Sequence, residues 1–155
     1  MKENINNSFE VDYRYDYAYD VLAIKVNRPF KYNKTVEMDE GVLLDFDDDN
    51  IPVSLEILDA SKRLNVPKYS LKKLIDFKMS ISVDDKSICV CARFKVMLHN
   101  SEQNPILESF TSNYSNISFY GNWICSSLKF SCLFLFFIKS FNSNQFQKKR
   151  ITFFR

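Results

Sequence analysis

Apolar residues return at every second position through most of this chain, and that period dictates strands. Leu22, Ile24 and Val26 make one such row, Val42, Leu44 and Phe46 a second, and Ile51, Val53, Leu55 and Ile57 a third. Met79, Ile81 and Val83 alternate with serines, and Ile88, Val90, Ala92, Phe94, Val96 and Leu98 give the longest row. Alternate side chains of a strand point to opposite faces, so each row is one buried face of a sheet. The joints are polar. Asp47-Asp48-Asp49-Asn50 lies between two apolar rows and predicts a β-hairpin. Phe9, Val11, Tyr13 and Tyr15 alternate up to Asp16, and Asp20 opens the next row, so residues 16–20 form a turn between antiparallel strands. Asp84-Asp85-Lys86 and His99–Pro105 are further turns, and Ile106–Tyr114 is a weaker strand.

Helical signal is confined to the middle. Asp59-Ala60-Ser61 can start a single turn. Pro67 suits a first helical position, where its missing N–H costs nothing, and Leu71, Leu74 and Ile75 follow at helical spacing. The expected fold is therefore α+β: an antiparallel β-sheet of seven or so strands built from hairpins, with one or two short helices in the middle. A chain of 155 residues has the length of one domain. Residues 1–8 are expected to be a disordered N-terminus and residues 9–117 the domain. From about Ile117 onward the chain turns to Phe, Ser, Lys, Asn, Ile and Leu without alternation. Residues 118–155 are expected to be an apolar and basic tail outside the domain, frame-disrupted or weakly folded. Within it, Trp123–Ile138 is apolar but interrupted by Lys129, and its 16 residues fall short of the roughly 20 that span a bilayer as a helix.

The net charge of +2 conceals a division. All 19 acidic residues lie between Glu3 and Glu108, so the chain up to Glu108 carries −4 and the remainder +6. An acidic body disfavours nucleic acid, whose phosphates need clustered positive charge. Only two Gly are present, which excludes a glycine-rich phosphate cradle, and the single His excludes a multi-histidine metal site. The start, MKENINNSFEVD, has no secretory pattern. The four Cys are expected to be reduced thiols in the cytosol.

Two stretches resemble a small prokaryotic domain-of-unknown-function family, number 2283. The first is Tyr15-Asp16-x-x-x-Asp20-Val21-Leu22-x-Ile24. The second runs Glu40-Gly41-Val42-Leu43-Leu44-Asp45-Phe46-Asp47 and continues to Glu56-Ile57-Leu58-Asp59-Ala60-Ser61. The resemblance covers about residues 9–63, with longer members similar to about residue 114. It implies a compact antiparallel sheet with a short helix, no cofactor and no assigned activity. It marks Tyr15, Asp16, Asp20, Gly41, Asp45, Asp47, Glu56, Asp59 and Ser61 as motif residues. Some relatives resemble the second partner of toxin–antitoxin-type gene pairs.

Several chemistries compete for these residues. Asp45, Asp47, Asp49 and Glu56 come close to a calcium-loop spacing, but the flanks alternate as strands where helices are required, so no metal is expected. Cys89 and Cys91 share a strand face with Arg93 and Lys95, and with Cys125 and Cys132 they do not match the pair spacing of structural zinc. His99 lies beside a turn without an evident catalytic partner. Asp16 and Asp20 suit turn formation as well as acid–base work. Lys62, Arg63, Lys68, Lys72, Lys73 and Lys78, with Tyr69 among them, form a basic stretch. The reading is a cytosolic, non-catalytic protein-interaction module that binds a protein partner or itself, through a sheet edge or the face carrying Tyr13, Tyr15, Tyr17 and Tyr19. The alternatives are a small hydrolase-like enzyme using the clustered carboxylates and a membrane-tethered module held by residues 119–141.

Overall fold

The computed structural model describes residues 7–117 and 121–128. In order, the strands are β1 (Asn7–Asp16), β2 (Val21–Val26), β3 (Tyr32–Asp39), β4 (Val42–Asp47), β5 (Pro52–Ile57), β6 (Leu74–Val83), β7 (Ser87–Leu98), β8 (Ser101–Gln103), β9 (Ile106–Ser112) and β10 (Gly121–Leu128). Between β5 and β6 lie a single-turn helix, α1 (Ala60–Arg63), and a 3-10 turn, Lys68–Lys72. The fold is thus mostly antiparallel β rather than α+β. The helix expected after Pro67 is only that 3-10 turn, and Leu74 already pairs with Val96 as a strand residue.

All ten strands belong to one sheet, in the order β3-β4-β5-β2-β1-β10-β6-β7-β8, with β9 also on β7. The five N-terminal strands form one half. Leu22 and Val42 both stand opposite Ile57, while Ile24 and Leu44 both stand opposite Leu55, so the apolar rows recognised in the sequence meet across three strands. In the other half, Phe77, Met79 and Ile81 face Phe94, Ala92 and Val90. The tight turn from β7 to β8 places His99 and Asn100 at φ 47° and 63°, the left-handed pair that matches the twist of a hairpin.

The halves are joined by β10, which runs parallel to β1 and antiparallel to β6. The domain boundary expected after residue 117 is therefore corrected for Gly121–Leu128, which occupies an interior position of the sheet. Residues 1–6, 118–120 and 129–155 lie outside the described residues, and with them most of the expected N-terminal and C-terminal segments.

The two ends of the strand order approach each other: β3 packs against β9, and Lys34 Nζ donates to the carbonyl of Ser115 at 3.4 Å. The sheet wraps around a single apolar core drawn from both halves and from Ala60, Leu64, Val66 and Leu71. Phe46, Phe77 and Phe94 are its largest fully buried side chains. Phe77 and Phe94 meet with ring centroids 5.1 Å apart, a spacing favourable for tilted aromatic pairs.

Candidate functional site

The motif residues separate by position in the sheet. Tyr15, Asp20 and Ser61 converge into one hydrogen-bonded clasp. Asp20 sits in the β1–β2 turn at φ 56°, a left-handed conformation that Asp tolerates better than most residues. Its carboxylate is buried. Oδ1 accepts from the Tyr15 hydroxyl at 2.7 Å and from the Ser61 N–H at 3.0 Å, and Oδ2 accepts from the Ser61 hydroxyl at 2.6 Å. The Asp20 carbonyl accepts from the Ala60 N–H at 2.9 Å. Burial pushes the Asp20 carboxyl up, but the hydrogen bonds from Ser61 and Tyr15 outweigh it and hold the group below the usual carboxylate range. The Tyr15 hydroxyl is pushed up, first by burial and then by donating to Asp20. Asp59 precedes α1 at φ 50°, its carbonyl accepts from the Lys62 and Arg63 N–H groups, and its carboxylate pairs with Lys62.

Gly41 secures the same corner from the other side. It lies in the β3–β4 turn at φ +75°, its carbonyl accepts from the Leu58 N–H at 2.8 Å, and a Cβ there would stand 3.0 Å from Arg63 Nη2 and 3.3 Å from Leu58 Cβ. Asp47 works at the opposite end of β4. Its Oδ1 accepts from the Asp49 and Ile51 N–H groups and its Oδ2 from Arg28 Nη2 at 3.0 Å, so it shapes the acidic hairpin. Asp45, opposite Ser54, accepts from the Thr35 hydroxyl, and Glu56 stands opposite Leu43 and Ala23. The acidic turn thus uses Asp47 to fold itself. Among the described residues no group of three or more His, Cys, Asp or Glu is placed to hold a metal ion.

Asp16 accepts from the Tyr19 N–H at 3.0 Å, which shapes the turn and leaves Tyr17 and Tyr19 exposed at 50% and 57%. Over this turn stands the 3-10 segment. It is held to β1 by Tyr13, whose hydroxyl accepts from the Leu74 N–H at 3.0 Å and donates to the Lys72 carbonyl at 3.5 Å. As a result Lys72 Nζ lies 4.2 Å from the centre of the Tyr17 ring and Lys68 Nζ 5.7 Å from it, both within cation–π range. Lys68 also donates to the Tyr17 carbonyl at 3.4 Å. The Tyr15 and Tyr17 rings meet edge to face at 6.3 Å. Beyond them Tyr69, half exposed, meets His99, with hydroxyl and Nε2 3.5 Å apart. The sequence displayed the tyrosines and the basic stretch separately. Their convergence, and the pairing of His99, carry no local signal because roughly fifty residues separate the turn from the 3-10 segment.

Cys89 and Cys91 are free, half-buried thiols on β7, off the core face. The side chain of Cys125 and the whole of Cys132 lie outside the described residues.

A model of the family described as protein of unknown function (DUF2283) matches residues 12–61, which span the clasp, the acidic hairpin and the start of α1. A protein of Methanocaldococcus jannaschii, described as uncharacterised, is 43% identical over 104 residues, covering 66% of this chain and 86% of that one. The chain belongs to the DUF2283 family. A Methanosarcina mazei protein provisionally named hypoxanthine phosphoribosyltransferase is 28% identical over 110 residues, 71% of this chain and 88% of that one. No solved structure matches the chain. Tyr15, Asp20, Gly41, Asp47 and Ser61, the residues marked by the resemblance, hold turns and corners in this member, and the Tyr17 face stands directly on the β1–β2 turn.

Proposed function

We propose that this DUF2283 member is a non-catalytic interaction module of a reducing compartment, and that it binds a protein partner through the exposed face formed by Tyr17, Tyr19, Lys68 and Lys72. The observation that carries this reading is the convergence of two ammonium groups on the exposed Tyr17 ring. Exposed tyrosines on a turn braced from below offer large contact area at little entropic cost. The free thiols of Cys89 and Cys91 accord with a reducing setting.

The carboxylates argue against the hydrolase alternative. A general base works best with a pKa near the operating pH, whereas Asp20 is held low and both its oxygens are engaged. Asp16 and Asp47 accept backbone N–H groups of their own turns. Phosphoribosyl transfer, suggested by the name of the Methanosarcina relative, needs a cradle of open N–H groups for a pyrophosphate. At the start of α1 those groups are taken: Ala60 and Ser61 donate to Asp20, and Lys62 and Arg63 to Asp59. Among the described residues no helix is long and apolar enough to cross a membrane, so the tethered alternative rests on residues outside them.

The test is a pull-down with the full chain from its native cell, including the products of neighbouring genes, beside light scattering of the purified protein. Tyr17→Ser/Tyr19→Ser should release the partner or dissociate the assembly while the melting temperature holds. Equal association of variant and wild type would remove this face from the function.

A further inference from the structure

Resting on that interaction reading, we propose that the partner presents an acidic polypeptide segment, and that Lys68 and Lys72 receive its carboxylates beside Tyr17. Among the described residues the ion pairs are Arg28–Asp47, Lys31–Asp48, Lys62–Asp59 and Lys95–Glu102, so neither Lys68 nor Lys72 makes an ion pair, although the charge of Lys68 also favours the ionised Asp20 carboxylate. Two like charges are nevertheless held at one ring, with Lys68 anchored on the Tyr17 carbonyl and the backbone of Lys72 fixed by Tyr13. Lys73, next along the chain, is exposed as well. The fold already brings the two ammonium groups to one ring, so an incoming carboxylate need not gather them. In an extended segment, side chains two residues apart point the same way about 7 Å from each other, so alternate carboxylates face one side together.

The same geometry separates a peptide from single-stranded nucleic acid. Nucleic-acid platforms offer bare aromatic faces on which bases stack. Here Lys72 sits 4.2 Å over the Tyr17 ring, and the neighbouring Tyr15 ring meets it edge to face, so a base could stack on that face only by displacing the ammonium. The surrounding body carries −4 up to Glu108, which repels a long polyphosphate but hardly touches a short segment confined to the patch. A second copy of this chain is a poorer occupant. In its most acidic segment Asp47 is already bound to Arg28 and Asp48 to Lys31.

The experiment measures fluorescence anisotropy of three labelled probes with the full chain: a peptide with Glu at alternate positions, its Gln counterpart, and oligothymidylate. The Glu peptide should bind, more weakly as salt is added, and the Gln peptide should not. Lys68→Gln/Lys72→Gln should weaken the Glu peptide about tenfold, as loss of two exposed charge pairs implies. Lys68→Met/Lys72→Met keeps the aliphatic stems against Tyr17 and should weaken it equally, which separates charge from packing. Equal binding of Glu and Gln peptides, tighter binding of oligothymidylate, or no effect of either lysine pair would overturn the proposal. If Tyr17→Ser/Tyr19→Ser releases the cellular partner while both lysine pairs retain it, the interaction face stands and the acidic partner falls. If neither releases it, both fall.

Discussion

The Ser61 hydroxyl donates to Asp20 Oδ2 at 2.6 Å across a separation of 41 residues, tying the β1–β2 turn to the start of α1. Asp20 is buried, so losing part of its acceptor capacity leaves a donor without water to replace it. Asp20→Asn keeps the left-handed backbone, which Asn tolerates, and replaces the charged carboxylate by a neutral amide with one acceptor oxygen. It should lower the unfolding free energy in urea by about 1–3 kcal/mol, the cost of an unsatisfied buried donor. An unchanged urea midpoint would show that the clasp contributes nothing to stability.

Gly41→Ala tests the second tie on the same corner. Its φ of +75° alone costs an L-residue about 1–2 kcal/mol. Arg63 Nη2 is the end of a flexible side chain and can yield, whereas Leu58 Cβ cannot, so Gly41→Ala/Arg63→Ala should recover little of the lost melting temperature. Full recovery in the double variant would place the strain in the Arg63 contact rather than in the backbone.

Stability should fall at both ends of the pH scale, for opposite reasons. Asp20 is held low by Ser61 and Tyr15, and Asp84 by the N–H groups of Lys86 and Ser87. Their contribution is complete above the unfolded carboxylate pKa of about 4 and is lost as pH falls through the lower folded values. Tyr15 is pushed up by burial and by Asp20, so its contribution is complete below about 10 and is lost as pH rises through the higher folded value. Urea midpoints against pH should show the acid limb reduced in Asp20→Asn and the alkaline limb reduced in Tyr15→Phe. Limbs unchanged in these variants would assign the pH dependence to other groups.

A chain ending at residue 117 lacks β10, and with it the ladder between β1 and β6. It should lose its single cooperative thermal transition, with β1 and β6 each exposing an open edge. A melting temperature equal to that of the full chain would mean that the two halves need no strand between them.

Much of this architecture was legible because hairpins are local. The alternating rows of β2, β4, β5 and β7 and the turns at Asp16–Asp20 and Asp47–Asn50 stand in the structure as the pattern implies. Misreadings arose where local pattern and long-range pairing part. The stripe read as helical, Leu71, Leu74 and Ile75, runs from the 3-10 turn into the start of β6, where a bulge lies between Leu74 and Asp76. Strand β3 was missed because only Val36 and Met38 of its eight residues are buried, the thin signature of an edge. Strand β10 was assigned to a tail because its partners, β1 and β6, are fixed by distant chain. At the site, Tyr15, Asp16 and Asp20 were marked by the motif, and the structure makes them the frame of the turn. The motif could not show that Lys68 and Lys72 stand over Tyr17, because Tyr13 brings them there through the Leu74 N–H and the Lys72 carbonyl.

The parallel pairing of β1 with β10 sets the order in which the molecule can be completed at the ribosome. Asn7 and its partner Trp123 lie more than a hundred residues of synthesis apart. For that interval β1 is paired on one side only, with β2, and its other edge stands open as a template for foreign strands. Contacts of such long sequence separation also slow folding, because the chain between them must be ordered before they form. The nascent chain therefore carries that open edge until the nine preceding strands have been made.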